Sequence, residues 1–481
     1  MKKLLAVCLF VCAGLAGAAT PPNVLFIAID DLNDWVGCMG GHPDTLTPNL
    51  DRLAARGTLF TNAHCQAPIC GPSRGSLLSG LYPHSTGFYQ QPKSKLLQKD
   101  PRYAPKKLLP GVFEENGYRT MGGGKITHGI EPKKVFDEVG TKQSFGPKPP
   151  DGRRLNYELD LSIPYSGTQT DWGAYPDRDD LMPDYQIAAW GVEKLQQTYE
   201  QPFFLAVGFM RPHVPFTVPQ KWFDLFDANK LTLPVVPSDD LDDVPATGRA
   251  VHAMPRYPKI SWLEADDRDQ LRKCVHGYLA SIAFVDAQVG KVLDALDASP
   301  HKDNTVIVLF GDHGYHLGEK HRVCKHGLWE EATKVPLMVV APGVAGGQRC
   351  DKPVGLIDLF PTLLDLAGLP ALKRLEGKSL APLMQEDDAS WRKAVLTTYG
   401  KGNHALRGTR YRYIRYSDGS EELYDHKSDP TEWTNLADKP EQASVLKRFR
   451  AQLPENDAPH HPSTSTSPVN PWFEAVFKRD L

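Results

Sequence analysis

The stretch NVLFIAIDD, residues 23–31, joins a short apolar run to a pair of aspartates. The same design, apolar residues followed by polar ones, recurs in YRTMGGGK (118–125), PFFLAVGFMRPH (202–213) and TVIVLFGDHG (305–314). Such short runs, rich in Val, Ile and Phe and lying between helical segments, are typical of buried parallel strands. The sequence therefore predicts an α/β fold with a large, mostly parallel central sheet flanked by helices.

One helix and two long loops complete this part of the chain. Apolar side chains recur at helical spacing at Ile282, Val285, Val289, Leu293 and Leu296. Two tracts rich in Pro, Gly and Asp, roughly residues 141–183 and 228–262, interrupt the alternation of strands and helices. Loops of that length in a compact domain are usually functional or mobile, so both could wall a pocket.

The character of the sequence changes near residue 385. The stretch RGTRYRYIRYSDGSEELYDH, residues 407–426, alternates aromatic and charged residues around a turn at Asp418-Gly419, which predicts an antiparallel hairpin. We therefore expect a main domain over residues 20–385 and a smaller C-terminal domain with an antiparallel sheet over residues 386–481.

Charge and the N-terminus limit the possible partners. The net charge is -3, from 55 basic and 58 acidic residues spread along the chain, so the basic surface that nucleic acid would require is not expected. Residues 1–19 combine two lysines, an apolar run and small residues, the layout of a cleavable export signal. The run is too short to span a membrane comfortably and no second one follows. The sequence predicts an exported protein, periplasmic or secreted, without a membrane span.

Chemically useful side chains follow all the predicted strands: Asp30 and Asp31, Lys125 and His128, His213, and Asp312 and His313. Ligands of open α/β sheets bind beyond the carboxyl ends of the strands. The carboxylate oxygens of three aspartates, Asp30, Asp31 and Asp312, favour a hard cation such as calcium or magnesium over zinc. A turn or helix cap at Asp30-Asp31 and a core position for His313 are the alternatives.

Lysines and histidines near this edge predict the charge of the ligand. Lys125, His128 and Lys325 could be ordinary solvated surface residues. Aimed together at a metal site, they imply an oxyanion substrate such as a sulfate, phosphate or phosphonate ester.

Cys70 opens the stretch CGPSRGSLLSG, residues 70–80. Pro72 and Ser73 suit the first turn of a helix that runs to Gly80, which places Cys70 at the positive N-terminal end where anions collect. Arg74, one turn in, could hold an anionic oxygen or the nucleophile itself. The alternative, a buried structural thiol, explains neither the arginine nor the metal ligands.

These residues resemble the signature of the type I sulfatases of the alkaline phosphatase superfamily, C-x-P-S/A-R. Gly71 stands where that family usually carries Ala, Ser or Thr. The resemblance extends through NVLFIAIDDLNDW (23–35), GKITHG (124–129), MRPHVPF (210–216) and GDHGYHLGEKHRVCKHG (311–327). Asp-His-Gly at 312–314 is shared by iduronate-2-sulfatases, phosphonate monoester hydrolases and choline sulfatases, and the flanking motifs look most like the iduronate-2-sulfatase branch.

The resemblance implies an alkaline phosphatase-like sandwich and a role for each matching residue. Asp30, Asp31, Asp312 and His313, with the side chain of residue 70, would hold one calcium ion. A separate maturase would oxidise Cys70 to formylglycine, whose hydrate attacks sulfur and forms a covalent sulfo-enzyme. In the same way, Arg74 and Lys125 would orient the hydrate, His128 would assist sulfate release, and Lys325 with His213 would bind sulfate and serve the leaving oxygen.

The function implied is hydrolysis of O-sulfate esters on sugars, with a sulfated saccharide such as a glycosaminoglycan fragment as substrate. Specificity would depend on the two long loops, on the C-terminal hairpin, and on His316, His321 and Arg322. The alternatives are a phosphonate monoester hydrolase or phosphodiesterase that uses the same residues, and a non-catalytic relative that binds sulfated glycans.

Overall fold

The computed structural model describes residues 20–92, 94–157, 170–253, 257–385 and 390–463. The predicted export signal, the proposed domain junction at residues 386–389 and the C-terminal residues 464–481 lie outside the described residues, as do parts of both long tracts.

Eighteen strands lie in the described part of the chain: β1 (Asn23–Ile29), β2 (Thr58–Phe60), β3 (Ala63–His64), β4 (Arg119–Gly124), β5 (Glu138–Lys142), β6 (Trp172–Ala174), β7 (Phe203–Phe209), β8 (Phe216–Val218), β9 (Thr305–Gly311), β10 (His316–Gly318), β11 (Arg322–Cys324), β12 (Leu337–Val340), β13 (Gln348–Cys350), β14 (Val354–Gly355), β15 (Ala394–Thr398), β16 (His404–Gly408), β17 (Tyr411–Arg415) and β18 (Glu421–Asp425). The α-helices of the same residues are α1 (Pro48–Arg56), α2 (Cys70–Ser79), α3 (Pro83–Thr86), α4 (Ser94–Leu97), α5 (Leu109–Glu115), α6 (Pro183–Leu195), α7 (Gln220–Phe223), α8 (Ala246–His252), α9 (Ile260–Leu263), α10 (Ala265–Asp297), α11 (Glu330–Thr333), α12 (Leu359–Leu366) and α13 (Ala443–Arg450).

The main sheet has eight strands in the order β13-β2-β12-β9-β1-β7-β4-β5. Strands β9, β1, β7, β4 and β5 are parallel, whereas β12 runs antiparallel to both of its neighbours. The predicted strands are therefore neighbours at the centre of the sheet. Their register is aligned, since Ile29 at the end of β1 lies opposite Phe209 of β7 and Gly311 of β9. The predicted α/β fold is confirmed, and the polar residues that follow these strands share one edge.

Strand β1 is buried on both faces, which explains its continuous apolar run. Because successive side chains of a strand point to opposite faces, Leu25, Ile27 and Ile29 join one core and Val24, Phe26 and Ala28 join the other. The first core contains apolar side chains of α1, α6 and α10, and the second contains those of α2, α5 and α12. The predicted helix over 282–296 forms the C-terminal half of α10.

The C-terminal sheet is antiparallel, in the order β15-β16-β17-β18. Strands β17 and β18 are the predicted hairpin, and Gly419 of its turn takes a left-handed φ of 90° that suits glycine. One face of this sheet packs on α13. The other face contacts Leu328 and Trp329, which closely follow Lys325 in the chain.

The two tracts predicted as loops contain short regular elements, β6 in the first and α8 in the second. Among the described helices, none combines the length and the apolar character that crossing a membrane requires.

Candidate active site

Cys70 is the first residue of α2. Ile69 before it is still extended, and Gly80 ends the helix with a left-handed φ of 71°, as predicted. The first N–H groups of a helix have no partner inside it, so this end of α2 carries partial positive charge. Every residue of α2 is buried, and the charge therefore acts in a poorly solvated site.

The acidic residues after β1 and β9 meet at this helix end. Asp30, Asp31, Asp312 and His313 are all 0% exposed. The backbone N–H of Asp31 donates to Oδ1 of Asp312 at 3.0 Å, which ties the two strand ends together. Asp31 has a left-handed φ of 61°, a conformation that Asp tolerates better than most residues.

Buried cations compensate these carboxylates. Arg74 donates from Nε to Oδ2 of Asp312 at 2.7 Å and from Nη2 to Oδ1 of Asp30 at 3.3 Å. Lys125 pairs with Asp30, and Nζ of Lys325 lies 2.7 Å from Oδ1 of Asp31. Buried charges persist when they are paired in this way. The lysines and the arginine are thus buried beside these carboxylates and are not solvated surface residues.

The Cys70 thiol lies among polar partners. Its Sγ is 3.1 Å from Nε2 of His313 and 3.2 Å from Nζ of Lys325, and it hydrogen-bonds with His128. Burial by itself would raise the pKa of Cys70, but the cations of Lys125 and Lys325 outweigh it and hold that pKa well below its usual value. Cys274, buried without such partners, has a raised pKa. The position of Cys70 is therefore built to hold an anion.

Two histidines approach the same point from other loops. His213 places Nε2 3.9 Å from Oδ2 of both Asp30 and Asp31, while its Nδ1 lies 2.7 Å from the Val214 carbonyl oxygen. The Phe145 ring, from the first long tract, contacts it at a centroid distance of 5.4 Å. Burial lowers the pKa of His128, so its ring is neutral beside Cys70.

The residues present fit a divalent cation. Ligand atoms of Asp30, Cys70, Asp312 and His313 lie within 4.8 Å of one another, and so do those of Asp30, Asp31, Cys70 and His213. Oδ2 of Asp31 is buried and has no hydrogen-bond partner among the described residues. A buried carboxylate oxygen without a donor is what a hard metal ion would satisfy.

Three supporting residues escaped the sequence-based prediction in whole or in part. Oγ of Ser73 donates to the Asp312 carbonyl oxygen at 2.5 Å, and Tyr278 of α10 donates to that of Asp31 at 2.8 Å. The N–H of Gly71 donates to Oε1 of Gln91 at 3.0 Å. Ser73 lies in the signature that the sequence displays, whereas the spacing of Tyr278 and Gln91 carries no signal.

The structure also explains why position 71 is glycine. A Cβ at Gly71 would lie 2.4 Å from Oε1 of Gln91 and 2.8 Å from Cδ of Pro92. The segment that follows α3 therefore packs directly on the first turn of α2, closer than a larger residue would allow.

Comparisons with known proteins place the chain in a family. The model of the family Sulfatase matches residues 22–369, and that of N-sulphoglucosamine sulphohydrolase, C-terminal, matches residues 318–458. A sulfatase of Formosa agariphila is 45% identical over 91% of this chain and 87% of its own. The iduronate 2-sulfatase of Mus musculus is 30% identical over 73% of this chain and 70% of its own.

The fold comparison agrees. The solved structure of a 2-O GAG sulfatase superposes with a TM-score of 0.69 over 90% of both chains, at 24% identity. The match to the sulfatase model spans the central sheet, helix α2 and the converging strand ends, so the resemblance seen in the sequence is confirmed: the chain belongs to the sulfatase family and is a sulfuric ester hydrolase.

Proposed function

We propose that this chain is an exported sulfatase that hydrolyses O-sulfate esters of sugars, with iduronate-2-sulfatase-like specificity for fragments of glycosaminoglycans or other sulfated polysaccharides. The observation that carries the proposal is the position of Cys70, at the start of α2 and in contact with Lys325, His313 and His128. The names of its relatives, an iduronate 2-sulfatase and a 2-O GAG sulfatase, support a uronate 2-O-sulfate as substrate.

The nucleophile would be formylglycine at position 70, made from the cysteine by a maturase. Asp30, Asp31, Asp312 and His313 would hold a calcium ion together with residue 70. A bound calcium ion would neutralise the buried carboxylates and favour the ionised form of the nucleophile.

The remaining roles follow from the contacts of the chain's own side chains. Arg74 and Lys125, fixed by Asp30 and Asp312, would orient the hydroxyl groups of residue 70. Lys325 would bind the sulfate, and His213 would protonate the departing sugar oxygen. His128, neutral in this site, would accept a proton from residue 70 so that sulfate leaves.

The domain roles belong to the same proposal. Residues 20–385 would form the catalytic domain, and residues 386–481 would complete the substrate pocket. The contact of the C-terminal sheet with Leu328 and Trp329 supports this role.

The test is sulfate release by enzyme produced with a maturase and calcium, from a panel that includes 2-O-sulfated iduronate and a phosphonate monoester. We expect turnover of the sulfate ester and a loss of at least about 10³-fold in Cys70→Ala, because the nucleophile is removed. Cys274→Ala is the matched control, since it removes a buried thiol from the first core, away from the active site, and should keep turnover. Mass spectrometry of residue 70 and N-terminal sequencing of the exported protein check maturation and cleavage.

Several outcomes would contradict the proposal. Equal sulfate release by the Cys70→Ala variant would exclude a nucleophile at this position. Faster turnover of the phosphonate ester than of any sulfate ester would instead favour the phosphonate hydrolase alternative.

A further inference from the structure

A cavity of about 510 Å³ lies beside the Lys325 loop, between the second long tract and strand β11. Its described wall carries the cationic side chains of Arg249, Lys259, Lys320 and Arg322, and no acidic side chain. A concave site lined by one sign of charge concentrates ligands of the opposite charge. The cavity is therefore suited to an anionic group.

Lys320 and Arg322 are the buried cations of this wall, at 3% and 6% exposure, and Arg322 is the one without a carboxylate partner in the described part of the chain. Its Nε and Nη2 donate to Sγ of Cys324, and Nη2 also donates to the carbonyl oxygens of Lys325 and His326. No carboxylate among the described residues forms an ion pair with it, and Nη1 has no hydrogen-bond partner there. Lys320 on the same wall is different, because its Nζ lies 2.6 Å from Oδ1 of Asp240.

A buried guanidinium without an anion is costly, and proteins rarely keep one unless a ligand supplies the charge. Arginine is also suited to this role, since its planar donors match the oxygens of a carboxylate or a sulfate.

His252, from α8, adds a second unused donor to the cavity wall. Its Nε2 accepts from the N–H of Leu328 at 3.3 Å, so the proton of the neutral ring is on Nδ1, which has no partner among the described residues. Burial lowers the pKa of His252 well below its usual value and keeps the ring neutral. The Trp329 ring, whose centroid lies 3.9 Å from that of His252, packs on this histidine and holds it at the cavity wall.

The cavity wall and the nucleophile both contact one residue, Lys325. Arg322 binds the carbonyl oxygen of Lys325 at 3.0 Å, and the side chain of the same lysine ends 3.2 Å from Sγ of Cys70. Tyr257, on the cavity wall, also hydrogen-bonds with His326, which follows Lys325 in the chain. The cavity wall therefore adjoins the loop of Lys325, whose side chain contacts residue 70.

We propose that this cavity binds a second anionic group of the saccharide substrate, a uronate carboxylate or another sulfate, with Arg322 as its principal binding residue and His252 as an additional donor. The proposal rests on the sulfatase function proposed above and names the feature that its substrate must carry.

The test compares kcat/KM within pairs of sulfated sugars that differ only in the second group. One pair is 2-O-sulfated uronate and its carboxyl-reduced analogue, and the other is glucosamine 6-sulfate with and without an N-sulfate. We expect the wild type to prefer the anionic member of at least one pair by roughly 10- to 100-fold, the effect of a charged hydrogen-bonded pair. The pair with the larger preference identifies whether carboxylate or sulfate is the natural ligand.

Arg322→Met should reduce that preference to about 2-fold or less, and Arg322→Lys should restore part of it because the charge returns. Arg349→Met, which removes an exposed arginine of the sheet edge, is the control and should keep the wild-type preference. Thermal unfolding shows whether the variants are folded. If Arg322→Met does not fold, the preference within each substrate pair is compared between the wild type and Arg322→Lys. A smaller preference in Arg322→Lys supports the proposal, and an unchanged preference contradicts it.

Two results would overturn the proposal while leaving the sulfatase function intact. One is sulfate release by the wild type with no preference in either pair. The other is a preference that persists unchanged in folded Arg322→Met. Failure to release sulfate from any member of the pairs would instead contradict the proposed function itself.

Discussion

Arg412 of β17 is a buried charge outside the active site whose removal should destabilise the fold. It is 0% exposed, and it donates from Nε to Glu432 at 2.6 Å and from Nη1 to the Leu328 carbonyl oxygen at 2.9 Å. Its Nη2 forms an ion pair with Glu330 of α11 and donates to Oγ1 of Thr333 at 3.0 Å. It therefore joins the C-terminal sheet to the segment that follows Lys325.

Arg412→Met would leave two buried carboxylates, Glu330 and Glu432, with Arg407, His426 and, at 4.0 Å from Glu330, Lys334 as counter-charges. Removing one partner of a buried charged network costs about 3–5 kcal/mol, and we expect a loss in this range. The extra substitution Glu432→Gln should cost less than it does alone, because it removes a carboxylate that the first change left unpaired.

Urea unfolding followed by fluorescence measures the loss as the shift in midpoint multiplied by the slope m. Arg410→Met is the matched control, since Arg410 lies two residues earlier and pairs with Asp425 although 52% of its side chain is exposed. We expect a much smaller loss there, because exposed ion pairs contribute little. Equal losses for the two variants, or a loss below about 1 kcal/mol for Arg412→Met, would refute the reasoning.

Other consequences can be measured directly. Gly71→Ala should cost about 1–3 kcal/mol in urea unfolding, because its Cβ would meet Gln91 and Pro92, and no loss would contradict that close packing. Added calcium should raise the thermal unfolding midpoint, because binding to the folded state stabilises it by about 2.7 kcal/mol when the free calcium concentration is 100 times Kd. Asp31→Asn should abolish that rise, and a rise that survives it would place the ion elsewhere. Burial opposes ionisation of Glu432, but Arg412 and His426 hold its pKa below the ordinary 4.5. Its contribution to stability is therefore complete above the unfolded-state value of about 4.5 and is lost as the pH falls through the lower folded-state value. Glu432→Gln lacks this contribution, so it should lose less stability than the wild type when urea unfolding is repeated at falling pH through that range, and equal losses would contradict the assignment.

The central strands and the site they carry were predictable from local patterns. A strand buried on both faces has a continuous apolar run, so NVLFIAIDD and its counterparts indicated the sheet before any contact was known. Because parallel strands end at one edge, the aspartates and histidines that follow them had to converge. The signature at Cys70 marked the start of α2 by its proline and serine, and Gly80 marked its end.

Contacts between residues distant in sequence depended on the tertiary structure. The short strands β2, β12 and β13 pair at the sheet edge over two or three residues, too few for a periodic signal. The link between Gly71 and Gln91 exists only where the turn after α3 folds back on α2. In the same way, the ion pairs of Arg412 and the missing counter-charge of Arg322 depend on which side chains surround each guanidinium. Apolar periodicity and local motifs are properties of neighbouring residues, and they were enough to predict the strands, helix α2 and the residues of the reaction centre. Charge pairing and cavities are set by packing across the whole chain, so only the tertiary structure revealed the surroundings of that centre.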